Sequence, residues 1–278
     1  MNARLLFILL LFTIGALWYI IGYWRRKAGE AAFAAARLTE KSEERERYCR
    51  LAVMAGHREA CRMFCLLHPE RFDGHSPHKP FKLRGIRISF YGYYYPSRYN
   101  ALLNDEQRAF CHSIYQFKQG DIHGIEFFKT CMNALQLKKR PNHIMIMPCS
   151  NWIKYGQRFK RLDWYIGKHR QDLTSGLYDV DICDARESLH EAKGGEKRIL
   201  ERNYLITGKI KGKEIIIIDD VLTTGQSVVD YKEEIERCGG KVVAAIFYGK
   251  TLSMPSMLLV QIHVWGNHIA HIIERMTK

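Results

Sequence analysis

Residues Ile215 to Ser227 read IIIIDDVLTTGQS: four branched apolar residues, two adjacent carboxylates, two more apolar residues and a Thr-Thr-Gly bend. Asp219 and Asp220 can accept hydrogen bonds from the vicinal hydroxyls of a sugar. They can also attract a hydrated Mg2+, a hard cation that takes one or two carboxylates and keeps several waters. Thr223, Thr224, Gly225, Gln226 and Ser227 supply hydroxyls and backbone N–H groups able to wrap a phosphate dianion, helped by the positive end of a following helix. Gly225 lets the main chain approach such a ligand closely. The apolar run before the acids predicts a buried strand that carries this loop to the C-terminal edge of a sheet, where ligands sit in open α/β folds.

The flanking pattern supplies the rest of such a scaffold. LRGIRISFYGYYYP (Leu83 to Pro96) predicts a strand or hairpin, and HIMIMP (His143 to Pro148) and VVAAIFYG (Val242 to Gly249) predict buried strands. Helical periodicity runs from Asp105 to about Leu137, broken at Gly120 and Gly124, and returns at Phe159 to Lys168. A further helix, Ser227 to Cys238, is closed by Gly239 and Gly240. Apolar strands alternating with helices predict an α/β domain with a parallel sheet covered on both faces. Tyr91, Tyr93, Tyr94 and Tyr95 have the rings to stack on bases, but core and edge packing is the commoner use of such residues.

All thirteen positions of Ile215 to Ser227 fit the signature with which type I phosphoribosyltransferases bind 5-phosphoribosyl-1-pyrophosphate (PRPP), and the segment resembles that family. More of the chain is similar to its ComF-like branch, named for competence. The similar segments are IYQFKQGDIHGIEFF (Ile114 to Phe128), IMIMPCSNW (Ile144 to Trp152) and EKRILERNYLITGKIKGKEIIIIDD (Glu196 to Asp220). The likeness covers roughly residues 105 to 250. The branch's N-terminal four-cysteine zinc module has no counterpart here, and YGQRFKRL (Tyr155 to Leu162) matches the branch's Arg-Gly-Phe-Asn-Gln region only loosely.

The resemblance implies a parallel-sheet type I phosphoribosyltransferase fold that binds PRPP and Mg2+. Val221, Leu222 and Thr223 to Ser227 would line the sugar-phosphate site, and Asp219 and Asp220 would serve both catalysis and the metal. It implies Ser150 and Asn151 at the pyrophosphate. It also implies that Arg198 and Arg202, on a segment holding Gly194 and Gly195, close over the leaving diphosphate. The expected activity is transfer of phosphoribose to a nitrogenous acceptor. The alternative is a non-catalytic module of the same fold, serving DNA uptake or handling or sensing a phosphorylated ligand.

Bulk properties frame the partners. Lys and Arg outnumber Asp and Glu by 43 to 29, a net +14, which favours phosphorylated metabolites, nucleic acid or anionic lipid. Lys154, Arg158, Lys160 and Arg161 offer a nucleic-acid contact, and a second copy of the chain is a further expected partner. Hydrophobic residues at 47% and charged residues at 26% exclude disordered and fibrous classes. Eight scattered cysteines read as reduced thiols. His57, Cys61, Cys65 and His68 share one helix face but span ~16 Å at ~1.5 Å per residue, too far to close one zinc tetrahedron, so a packed face is expected.

At the N-terminus, Leu5 to Trp24 is an uncharged stretch of twenty residues with Trp18, Tyr19, Tyr23 and Trp24 near its end, followed by Arg25, Arg26 and Lys27. It predicts a single membrane span with the remainder of the chain in the cytoplasm. A cleaved signal peptide ending near AAFAAA (Ala31 to Ala36) is the rival, opposed by the length of the stretch and the cations after it. YCRLAVMAGHREACRMF (Tyr48 to Phe64) resembles one Sel1-like or tetratricopeptide-type hairpin. The expected plan is an anchor over residues 1–27, a helical segment over 28–75 and a phosphoribosyltransferase-like domain over 76–278.

Overall fold

A computed structural model describes residues 3–121, 124–137, 142–149, 152–182 and 204–277, with backbone alone for residues 3–6, 8 and 9. The chain packs as two compact units, one of Met1–Gly74 with Ala101–Leu103 and Ser253–Lys278, the other of His75–Asn100 with Asn104–Leu252.

The first unit is helical: α1 (Ala3–Leu38), α2 (Ser42–Met54), α3 (Arg58–Leu67) and the short α4 (Pro69–Asp73). The turn between α2 and α3 falls at Gly56, whose φ of 90° is a left-handed conformation that suits glycine. His57 caps α3 by accepting from Ala60 N at 3.2 Å and stacks on Phe33 at 4.3 Å. Cys49, Cys61 and Cys65 are buried in the hairpin, with burial pushing the Cys61 thiol up to about 11 and the other two to about 12. Among the described residues no cluster of three His, Cys, Asp or Glu could hold a metal ion, so this face packs rather than chelates.

Among the described residues no helix is long and apolar enough to cross a membrane. The expected span over residues 5–24 is therefore not carried by the described part of α1.

The second unit holds a six-stranded sheet in the order β1-β2-β8-β7-β3-β4. Its strands are β1 (Phe81–Leu83), β2 (Ile86–Tyr94), β3 (Asn142–Ile146), β4 (Leu173–Ser175), β7 (Glu214–Leu222) and β8 (Lys241–Thr251). Only β1 is antiparallel to its neighbour, as the hairpin partner of β2. A separate two-stranded ribbon joins β5 (Val180–Ile182) and β6 (Tyr204–Ile206). Helices α5 (Asp105–Gln119), α6 (Ile125–Leu135), α7 (Trp152–His169) and α8 (Gln226–Arg237) cover the sheet. Asn104 starts α5 with a reciprocal capping box to Gln107. Phe117, Phe127, Phe128, Tyr155 and Phe159 bring α5, α6 and α7 onto Ile144, Ile146, Ile216 and Ile218 of one sheet face. Ile235 of α8 meets Ile215 across Gly240. Tyr93 and Tyr95 are buried and Tyr91 packs on Phe110 and Tyr248, so the tyrosine run is core. After β8 the chain returns to the helical unit, where α9 (Met257–Met276) packs on α2 and α3.

Three boundaries differ from expectation. β7 runs through Asp219 to Leu222 instead of ending at Ile218, because its pairing with β8 continues as far as Leu222↔Lys250. α7 starts at Trp152, ahead of the expected Phe159. β4, β5 and β6 fall where no strand was expected; three-residue strands carry too little alternation to register as a pattern.

At the other end of β3, buried His143 bonds Asp179 Oδ2 at 2.5 Å and Thr174 Oγ1 at 2.7 Å. Burial first, then Lys213, holds the imidazole below its ordinary pKa, with Asp179 opposing. The folded chain thus resists taking the proton that the unfolded chain accepts near pH ~6.5. Stability is unaffected by this group above that pH and falls as pH drops below it, towards the depressed folded value. Thermal melts between pH 8 and 5 should show this acid limb, and His143→Gln should flatten it; an unchanged limb would remove His143 as its source.

Candidate functional site

The sheet sets where the site lies. Met147 N donates to Ile218 O at 2.8 Å, so the segment leaving β3 stays beside the C-terminal end of β7. The Ile146 carbonyl accepts from Tyr231 Oη at 3.1 Å and Tyr155 Oη at 3.4 Å, which fastens α8 and α7 to the end of β3. Asp219, Asp220, Val221 and Leu222 are the last four residues of β7, Thr223 to Gly225 form the bend, and Gln226 and Ser227 open α8.

The bend has the features of an anion cradle. Gly225 sits at the α8 N-cap with φ 79° and has no side chain to cap the helix, while the Thr224 hydroxyl accepts from Gln226 N at 3.4 Å. The first N–H groups of a helix lack intrahelical acceptors and carry the positive end of the dipole. No acidic residue occupies the first turn of α8, and Thr223, Thr224, Gln226 and Ser227 are exposed. A Cβ on Gly225 would lie 2.3 Å from Leu83 Cδ2, so the position is closed to larger residues by packing as well as by φ. Gln226 is braced from both sides, accepting from Arg84 Nη1 at 2.7 Å and donating to Asp230 Oδ1 at 2.6 Å.

The acids are less alike than their adjacency suggests. In a strand, neighbouring side chains point to opposite faces. Asp220, 7% exposed, shares the face of Ile216 and Ile218 under α5 and α7. There Arg158 Nη1 donates to its Oδ2 at 2.7 Å and Lys118 Nζ lies 3.5 Å from the same oxygen. Arg158 also donates to Lys118 O at 3.3 Å and approaches Cys149 Sγ at 3.4 Å. Asp219 instead accepts from Asp220 N through Oδ1 at 2.7 Å. Burial, then the charge of Asp220, raises the Asp219 carboxyl above the usual range, against the pull of that N–H, Lys118 and Arg158. Burial pushes the Cys149 thiol up to about 12, so it stays protonated.

Two carboxylates without a third ligand do not make a preformed metal cage. A hydrated Mg2+ needs only one or two carboxylates and draws its remaining ligands from phosphate and sugar oxygens. Of the residues expected at the site, the structure joins Asp219 to Ser227 in one strand-bend-helix unit; Ser150, Asn151, Arg198 and Arg202 lie outside the described residues. Two site residues were not assigned there from sequence. Lys118 was noted only within a resemblance, and Arg158 was grouped with a basic surface. Arg158 turns inward to Asp220, while Lys154, Lys160 and Arg161 are exposed on α7. The signal for Arg158 was available in the helix period: it neighbours buried Phe159 and lies three residues after buried Tyr155.

Removing one partner of a buried ion pair leaves the other uncompensated, at a cost of roughly 3–5 kcal/mol. Arg158→Met should therefore approach that loss in denaturant unfolding. Lys118→Met should cost less, since its ammonium is farther from the carboxylate and its side chain is 31% exposed. Equal small losses would mean that Asp220 does not depend on Arg158.

Comparison with known proteins agrees with this geometry. An orotate phosphoribosyltransferase of Sulfolobus acidocaldarius is 42% identical over 57 residues, which is 20% of this chain and 26% of that protein. The chain thus matches about a quarter of the length of this curated relative. Residues 171–251, which hold β4 to β8 and the whole acid-bend-helix unit, match the phosphoribosyl transferase domain family, and the mostly parallel sheet around them fits the phosphoribosyltransferase fold.

Proposed function

We propose that the chain binds PRPP and transfers its phosphoribosyl group to a nitrogenous acceptor. The observation that carries this is the N-terminus of α8, free of acidic residues in its first turn, behind the bend Thr223 to Gly225, two residues after the acid pair at the end of a central parallel strand. In this reading the 5-phosphate sits on the N–H groups and hydroxyls of Thr223 to Ser227, and Asp219 and Asp220 receive the ribose hydroxyls. The same carboxylates would hold Mg2+, which when bound neutralises diphosphate charge. Ser150, Asn151, Arg198 and Arg202 are assigned to the pyrophosphate.

The bond from C1 to the diphosphate oxygen breaks with its electron pair leaving on pyrophosphate. An acceptor nitrogen lone pair forms the new C1–N bond, and the nitrogen then loses a proton. The intervening C1 is oxocarbenium-like, so the residues act by positioning, charge stabilisation and exclusion of water, without a protein nucleophile. The protonated Cys149 is in keeping with that.

A second reading is favoured by the ion pairs on Asp220: an acid already held by Arg158 and Lys118 suits a module that binds a phosphorylated ligand without turnover. Titration calorimetry should show Mg2+-dependent PRPP binding that Asp219→Asn with Asp220→Asn abolishes; undiminished binding in the double variant rejects the site. Pyrophosphate release across a panel of nucleobases then separates the readings, because tight binding with no release supports the non-catalytic one.

We further propose that α1 attaches the chain to a lipid surface. Supporting this, Phe12, Trp18, Tyr19 and Trp24 are well exposed and Arg25 to Lys27 follow at once. Deleting residues 1–24 should shift the protein from the vesicle pellet to the supernatant when sedimented with anionic lipid vesicles at low salt; a full-length chain that stays in the supernatant would end the proposal.

A further inference from the structure

The end of the sheet away from the acid pair carries a second set of reactive groups. His143 on β3 stands in register beside Thr174 of the edge strand β4, and Lys213 lies just before β7 on the other flank. His143 Nε2 lies 2.5 Å from Asp179 Oδ2, and Nδ1 lies 2.7 Å from Thr174 Oγ1 and 3.4 Å from Lys213 Nζ. A lysine ammonium only donates and a carboxylate only accepts, so the proton of the neutral ring belongs on Nε2 and the lone pair on Nδ1. The Thr174 hydroxyl therefore points its proton at a basic nitrogen. Hydroxyl, imidazole and carboxylate follow one another in hydrogen-bond contact, the order that activates a nucleophile. Two glycines let the backbone close on the ring and its acid: a Cβ on Gly176 would lie 2.6 Å from His143 Nε2, and one on Gly208 would overlap Asp179 Cγ. His143 is 3% exposed, whereas Thr174 is exposed and Lys213 half-buried, so the ring is enclosed while the hydroxyl faces solvent.

We infer that Thr174 is a nucleophile that takes the acyl group of small carboxylic esters, with His143 as its general base and Asp179 as the residue that positions the ring. Thr174 Oγ1 attacks the ester carbonyl carbon as its proton passes to His143 Nδ1. The carbonyl oxygen takes up the negative charge, and the Lys213 ammonium next to the hydroxyl stabilises it. Collapse breaks the bond to the alcohol oxygen, which leaves with the proton from Nδ1. Water then repeats the sequence on the acyl-threonine, releasing the carboxylic acid and restoring the hydroxyl. A single cation in place of a pair of backbone donors suits the ester, the more reactive acyl class, over the amide. Burial and Lys213, which hold the imidazole below its ordinary pKa, keep the base free of a second proton at neutral pH. The site lies at the opposite end of β3 from the acid-bend-helix unit and does not depend on the proposed phosphoribosyl transfer.

The test incubates the full chain with p-nitrophenyl acetate, follows p-nitrophenol release, and maps acetyl groups by mass spectrometry after an acid quench. Acetyl should appear on Thr174. Thr174→Val keeps the branched shape on an exposed edge strand and should bring release down to that of the buffer blank, while Thr174→Ser should keep both release and acetylation. His143→Gln should slow release by about a hundredfold, the lower range of general-base catalysis. Asp179→Asn, which lets the ring take the other tautomer, should lower kcat and leave KM unchanged. Circular dichroism melts check each fold, and Thr174→Val keeps the test decisive should His143→Gln unfold the chain. Acetyl found only on other residues, release undiminished in Thr174→Val, or an unchanged kcat in Asp179→Asn would each overturn the inference.

Discussion

The buried charge of Asp220 constrains the whole region around the site. A carboxylate at 7% exposure is costly to desolvate unless cations answer it, and here two do, from two different helices. Arg158 can reach it only because Tyr155, Phe159 and Leu162 hold α7 against the core, and Lys118 only because Phe117 does the same for α5. The aromatic contacts among Phe117, Phe127, Phe159 and Tyr248 therefore fix the electrostatics of the acid pair as well as the packing. The same arrangement makes the two acids unequal: one is compensated by cations, while the other is pressed toward its neutral form by burial and by its neighbour.

That inequality bears on chemistry. A sugar with vicinal hydroxyls approaching the end of β7 meets Asp219 with a carboxyl biased toward holding a proton, and Asp220 with an oxygen already occupied. Binding must either proceed around the Arg158 and Lys118 contacts or displace them. A phosphate at the α8 N-terminus would face no such obstacle, since Thr223, Thr224, Gln226 and Ser227 are exposed and the first turn holds no acidic side chain. In the proposed reading, phosphate recognition would rest on the backbone, and sugar recognition on side-chain charge balance.

Much of the scaffold was legible because its signals are local. The runs His143 to Pro148, Ile215 to Ile218 and Val242 to Gly249 are apolar stretches too short for helices, and all three are central parallel strands. Gly120, Gly124 and Gly225 take positive φ where breaks or a bend were expected. What escaped was set by distance in sequence. The inward face of Arg158 shows in the helix period, but its carboxylate partner lies 62 residues away. The return of α9 to the N-terminal helices depends on contacts such as Gln261 to Val53, 208 residues apart, which no window of the sequence encodes.

By itself the sequence determined the parallel α/β core and the Thr-Thr-Gly bend after twin acids, because hydrophobic period, branched residues and glycine act on their immediate neighbours. The tertiary structure alone decided which acid is compensated and which cations serve it. Those outcomes are free-energy balances among groups brought together only by folding: a charge is tolerable or costly according to the partners packed around it, and those partners come from helices far apart in the chain.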